Sequence, residues 1–177
     1  MNIHGKLLDE QTVRLERLLP GPIELVWAYL TESEKRGKWL ATGETEPRVG
    51  GKVELHFNHD NLSPEQDSEA PSTDCGDDTI HYGTVTKYEP PYRLAYTWAE
   101  NTGSTSEVMF ELEAIGDQVK LTITHERLPD METIVGVSAG WETHVAIMAD
   151  CLAGITPKPF WGVFNKIKTA YENLYAA

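Results

Sequence analysis

IHYGTVTKYEPPYRLAYTWAENTGSTSEVMFELEAIGDQVKLTITHE, residues 80–126, is the stretch from which the architecture can be read. Four runs rich in β-branched and aromatic residues lie within or across it: Ile80–Tyr88, Tyr92–Ala99, Ser106–Ile115 and Gln118–Glu126. Pro90-Pro91, Thr102-Gly103-Ser104 and Gly116-Asp117 separate them, and each suits a tight turn. Connections this short join antiparallel neighbours, so a meander is predicted. Side chains alternate across a strand. In the last run Val119, Leu121, Ile123 and His125 therefore share one face, and Lys120, Thr122 and Thr124 the other. Leu94, Tyr96 and Trp98 share a face of the second run. In the third, Phe110 and Leu112 oppose Glu111 and Glu113, which look into solvent.

Upstream, Val53, Leu55 and Phe57 alternate with polar residues in Lys52–Asn58, after a turn at Gly50-Gly51. Ile3–Leu8 and Gln11–Leu19 pair across Asp9-Glu10. Pro20-Gly21-Pro22 stops the second of these strands, and Pro22 opens a short helix with Ile23, Val26, Trp27 and Leu30 on its apolar side. Ser33 is placed to cap a second helix reaching Lys38, and Trp39 and Leu40 to anchor the chain in the core. Downstream, a helix is predicted over Ser138–Ala153, with Trp141, His144, Val145, Met148 and Leu152 along one face. Gly154 followed by Pro157 ends it. A further helix over residues 160–175 carries the stripe Phe160, Phe164, Ile167, Tyr171 and Leu174, which either packs on the domain or forms a dimer seam. The run HDNLSPEQDSEAPSTDCGDD (residues 59–78) has many acids and few large apolar residues, and reads as a mobile acidic loop over residues 58–79. Strands segregated from helices make the chain α+β, one domain over residues 1–177. A curved antiparallel sheet wrapped around one long C-terminal helix leaves a gap between them, the natural place for a ligand.

A chain of 177 residues suffices for one ordinary domain with a substantial core. The formal net charge of -13 argues against nucleic acid and anionic membrane surfaces as partners, since both demand clustered Lys and Arg. No stretch approaches the roughly 18 apolar residues of a membrane helix, and the N-terminus lacks the basic region and apolar core of a secretory signal. Of two cysteines, Cys75 falls in the acidic run and Cys151 in a helical pattern, so no disulfide framework is expected. The expected compartment is the cytoplasm.

Several stretches together resemble a known family. RLLPGPIELVWAYLTESEKRGKWL (Arg17–Leu40), RVGGKVELHF (Arg48–Phe57), GTVTKYEPPYRLAYTW (Gly83–Trp98), LTITHERL (Leu121–Leu128), GWETHVAIMADCLAG (Gly140–Gly154) and PKPFW (Pro157–Trp161) occur in the family's order. The chain resembles the SRPBCC (START-like) superfamily and, within it, the activator of heat-shock protein 90 ATPase homologue type. The resemblance implies a helix-grip fold, in which the sheet grips the long helix around a hydrophobic cavity, and a binding module more than a fixed chemistry. The acidic loop is longer than the resemblance leads one to expect. In the eukaryotic activators this domain accompanies an N-terminal domain, and nothing of that size precedes the first strand here. The family's name is therefore not taken as the function.

His125 is a polar group on an apolar strand face. It reads as a core histidine bonded to a neighbour or as a polar anchor at the cavity mouth, because either arrangement avoids an unpaired buried group. His144, one turn after Trp141, reads as packing near the helix centre with its ring toward the sheet. Tyr96, Trp98 and Trp141 supply aromatic walls, and Phe110, Ile123 and Met148 complete the candidate ligand contacts. His56 and His59, three apart on a strand, point to opposite faces, with no second cluster at zinc spacing. Asp74–Asp78 lacks the pattern of a calcium loop. No metal and no cofactor are expected. There is no G-x-S-x-G elbow and no phosphate loop, and Cys151 has no histidine at a catalytic spacing, so no catalytic residue is assigned. The expected function is non-enzymatic binding of a hydrophobic small molecule, with a stress- or chaperone-related role in view. A cyclase- or dehydratase-type enzyme using the same cavity and a protein-interaction domain are the alternatives, and a homodimer or a chaperone are the protein partners to consider.

Overall fold

The computed structural model describes residues 2–70 and 79–177. Seven strands form one antiparallel sheet: β1 (Gly5–Asp9), β2 (Thr12–Pro20), β3 (Lys52–Phe57), β4 (Thr79–Glu89), β5 (Arg93–Thr97), β6 (Glu107–Ile115) and β7 (Gln118–Glu126). Their order across the sheet is β1-β2-β7-β6-β5-β4-β3. The chain thus runs as a meander from β3 to β7, and the β1–β2 hairpin closes onto β7. The short helices α1 (Ile23–Thr31) and α2 (Ser33–Arg36) connect the hairpin to β3. The long helix α3 (Met131–Ala153) and the terminal α4 (Phe160–Ala176) follow β7. This is the α+β arrangement expected from the sequence, a curved sheet around a long C-terminal helix. Among the described residues no helix is long and apolar enough to cross a membrane.

The alternation on β7 is realised: Val119, Leu121, Ile123 and His125 are all buried. Pairing places His125 in a row that crosses the sheet through Val13, His125, Val108, Tyr96 and Val85. Every other member of that row is apolar or aromatic. Trp39 and Leu40 sit in the same core, with the Trp39 indole donating to the Tyr29 carbonyl at 2.7 Å.

Three local differences from the sequence reading have physical causes. Helix α3 begins at Met131, seven residues before the expected start at Ser138. Ile134, Val135 and Val137 are β-branched and Gly136 and Gly140 are poor helix formers, which hides the first two turns from propensity. The Asp130 carboxylate accepts from Thr133 N at 2.8 Å and caps that end. Ser33 does not cap α2; Glu32 holds the N-cap position and the Ser33 hydroxyl accepts from Gly43 N at 2.9 Å. Arg36, fully buried, serves as the local clamp. Its guanidinium donates to the carbonyls of Ala41 (3.0 Å), Gly43 (2.6 Å) and Glu54 (3.1 Å) and to the Thr45 hydroxyl (2.5 Å).

The first part of the acidic segment is tied down by side chains. After a 3-10 turn at His59–Leu62, the Ser63 hydroxyl donates to the Pro157 carbonyl at 2.7 Å. The Asp67 carboxylate accepts from Trp161 N at 2.6 Å, supplying an acceptor and a negative charge at the start of α4. The possible calcium run at Asp74–Asp78 and Cys75 lie outside the described residues. The α4 stripe packs within the chain: Phe160, Ile167 and Tyr171 are buried, Phe164 half-buried, while Leu174 is exposed. One polar clasp reinforces this contact. The buried Glu142 carboxylate of α3 accepts from Tyr171 OH (2.6 Å), His4 N (3.0 Å) and His4 Nδ1 (2.5 Å), and Tyr171 OH accepts from Gly5 N (3.0 Å).

Candidate functional site

The helix α3 lies across the sheet, and aromatic side chains fill the middle of the space between them. Trp141 on α3 meets Trp98 just beyond β5 with ring centroids 5.2 Å apart, and Phe110 on β6 at 5.5 Å. Tyr96 stacks toward Trp98 and lies 5.7 Å from Phe110. Ile123 and Met148 are buried in the same packing. The large void that the fold suggests is therefore mostly occupied by the protein's own rings.

A smaller cavity of about 160 Å³, itself open to solvent at its mouth, remains toward the N-terminal half of α3. Leu40, Phe57, Trp98 and His125 line it from the sheet side, and Gly136, Val137, Gly140, Trp141 and His144 from the helix. Of the eight residues singled out in the sequence, Trp98, His125, Trp141 and His144 reach this cavity. Tyr96, Phe110, Ile123 and Met148 are core around it and do not line it.

Two glycines make the space. Gly136 and Gly140 stand one helical turn apart on α3, and a Cβ built on either would meet no atom within 4 Å. Glycine inside a helix costs roughly 1 kcal/mol relative to alanine. Close packing does not require it at either position, since the room for a methyl group is already there. Sequence reasoning missed both, although a glycine pair at i, i+4 within a helical pattern is a visible signal.

The two histidines differ in what they offer. The Trp141 indole N–H donates to His125 Nδ1 at 3.1 Å. An indole can only donate, so Nδ1 is bare and the proton resides on Nε2, which donates to Ser106 Oγ at 3.0 Å. Both nitrogens of His125 are thus committed within the protein, the arrangement of a satisfied core histidine. Burial, assisted by the charge of Arg127, holds its pKa at about 3. His144 Nδ1 lies 2.7 Å from the Trp39 carbonyl, which can only accept, so Nδ1 carries the proton. Its Nε2 is then a bare acceptor, and the protein supplies it with no hydrogen bond among the described residues. Burial, with a contribution from His59, likewise depresses the pKa to about 3 against the opposing pull of the Trp39 carbonyl. Both rings are neutral at ordinary pH.

Further rings extend this wall. Phe57 lies 5.3 Å from His81 and 5.9 Å from His59, and the His59 ring lies 4.2 Å from that of Phe160, tilted by 30°. β3 ends at Phe57, so His59 sits in the following turn while His56 remains on the strand beside Glu54 at 3.3 Å. The two do not converge, and no group of three potential metal ligands forms among the described residues. Burial raises the Cys151 thiol pKa, which disfavours a thiolate there.

An open groove of about 450 Å³ adjoins the cavity and shares Trp98 and Val137 with it. Its walls carry the hydroxyls of Thr102, Ser104, Thr105, Ser106 and Thr133. Ala99 (φ 55°) and Arg127 (φ 61°), both in the left-handed region that disfavours side chains, also line it. Arg127 Nε donates to the Thr105 carbonyl at 2.9 Å and so ties the end of β7 to the β5–β6 connection.

The family model for activator of Hsp90 ATPase homolog 1-like proteins matches residues 20–153. Among solved structures, a protein from Bordetella parapertussis determined by solution NMR is 44% identical, with 97% of this chain and 90% of that one covered and a TM-score of 0.79. CalU16 from Micromonospora echinospora is 19% identical over 94% of this chain and 88% of its own, with a TM-score of 0.69. DynU16, a protein of the dynemicin biosynthetic locus, is 18% identical over 84% of this chain and 49% of its own, with a TM-score of 0.64. The last two are likenesses of fold alone. No curated protein matches the chain.

Proposed function

The chain belongs to the family of activator of Hsp90 ATPase homolog 1-like proteins, and from that premise we propose that it is a non-enzymatic binding module for a hydrophobic small molecule held between the sheet and α3. The observation that carries this reading is the cavity beneath Gly136 and Gly140. Its walls are apolar and aromatic apart from two neutral histidine rings, and among the described residues no charged side chain lines it. A pocket of this kind gains affinity from buried apolar area and orientation from very few polar groups. The adjoining groove supplies an approach from solvent.

An enzyme of cyclase or dehydratase type would need a base or acid that titrates near the working pH. His125 has no free nitrogen, and His144, titrating near 3, is a weak base. The buried carboxylate of Glu142 faces Tyr171 and His4, away from the cavity. These observations favour binding over turnover.

Native mass spectrometry of the freshly purified protein, followed by denaturing extraction, tests the reading. A reproducible adduct in the native chain that is missing from a folded Gly140→Leu variant is the expected result. An adduct retained equally by both would place the ligand elsewhere and overturn the assignment.

A further inference from the structure

Resting on the cavity reading, the chemistry of the walls narrows the ligand. We propose that the cavity accepts a neutral phenol, with the aromatic ring beneath Gly136 and Gly140 and the hydroxyl donating to His144 Nε2.

Size comes first. A dry apolar cavity of about 150 Å³ accommodates a benzene ring, and the volume here is about 160 Å³. One six-membered ring with a small substituent fills it, and a larger body would extend past Trp98 and Val137 into the groove or out of the cavity's own mouth.

Charge comes second. Among the described residues no Lys, Arg, Asp or Glu lines the cavity, so an ionised ligand would lose its hydration with no counter-charge from them. The ligand is uncharged.

The polar handle comes third, and it is directional. His125 is closed to a ligand, because Trp141 and Ser106 already hold its two nitrogens. His144 donates through Nδ1 to the Trp39 carbonyl, which leaves only the lone pair of Nε2. Of the two histidines, only His144 thus offers a polar atom here, and it is an acceptor, so a ligand that meets it must bring the hydrogen. A ketone or an ether would set oxygen against nitrogen with no proton between them. A hydroxyl satisfies the site. Aromatic character follows from the walls: Phe57, Trp98 and Trp141 present ring faces and edges suited to edge-to-face contact. A phenol is also a stronger donor than an aliphatic alcohol.

Isothermal titration of the full chain with phenol, toluene and cyclohexanol separates these elements. Toluene has phenol's shape without the donor, and cyclohexanol keeps the donor without the aromatic ring. Phenol is expected to bind about tenfold more tightly than toluene, the worth of one buried hydrogen bond, and more tightly than cyclohexanol, which lacks the aromatic contacts and is the weaker donor. The ¹⁵N resonance of His144 Nε2 is expected to move upfield with phenol and to stay in place with toluene, a readout that needs no variant. Equal binding of phenol and toluene, or an unmoved Nε2 resonance, would overturn the assignment of the donor while leaving the cavity as a binding site. Cyclohexanol binding as tightly as phenol would overturn the aromatic part. If none of the three binds near its solubility limit, the cavity reading fails together with the phenol.

Discussion

His125 and His144 look alike in the sequence, two polar residues on apolar faces, yet hydrogen bonding gives them opposite roles. Trp141 and Ser106 hold His125 as a structural bridge between α3 and the start of β6, so its loss strands the buried Trp141 indole N–H. His125→Leu is expected to lower unfolding free energy by about 2–4 kcal/mol, measured by denaturant titration. His144 keeps one acceptor in reserve. Both rings titrate near 3 in the folded chain and near the ordinary value of 6.5 when unfolded. Between those values the unfolded chain binds more protons. The stability they allow is therefore intact above about pH 6.5 and is lost progressively as the pH falls toward 3, at up to about 1.4 kcal/mol per pH unit for each ring. Chemical denaturation at a series of pH values checks this; a stability that stays flat from pH 6.5 to 4 would show that the rings are charged or exposed.

Helix α3 carries the consequences of this arrangement along its length. Its first turns include two glycines and a β-branched run, a sequence that would not hold a helix in isolation and does so here because both flanks are packed. Gly140→Ala adds helix propensity and a methyl group that meets no neighbour, so the variant is expected to be more stable by up to about 1 kcal/mol while binding apolar ligands more weakly. Thermal unfolding with and without ligand measures both, and a destabilised variant would mean that the glycines are needed for packing. The strands were legible in the sequence because alternation reports burial directly, and β7 matches its expected bounds, Gln118–Glu126. The start of α3 was not, since packing there overrides propensity. Neither were Arg36 and Glu142, whose burial depends on partners far along the chain: Arg36 reaches Glu54, and Glu142 reaches His4 and Tyr171. For the site, the sequence supplied the aromatic and histidine walls from the sheet and helix faces. It did not reveal that the rings would fill most of the gap, which is a matter of side-chain volume in three dimensions.

Over the whole molecule, the sheet, α3 and α4 act as one packed body, and the buried Glu142 carboxylate is one of the ties that fasten its last helix. Tyr171→Phe removes the hydroxyl that links Glu142 to Gly5 N, and is expected to cost about 1–3 kcal/mol in denaturant unfolding. An unchanged midpoint would mean that water replaces the hydroxyl there. The formal net charge is -13, while among the described residues no charged side chain lines the cavity. Whether the void beneath Gly136 and Gly140 is open and apolar can be seen by diffraction from crystals held under xenon, which enters dry apolar cavities. The expected result is a xenon peak bounded by Phe57, Trp98, Gly136 and Gly140 in the native protein and none there in Gly140→Leu. A native cavity that stays free of xenon, or that holds ordered water, would contradict it.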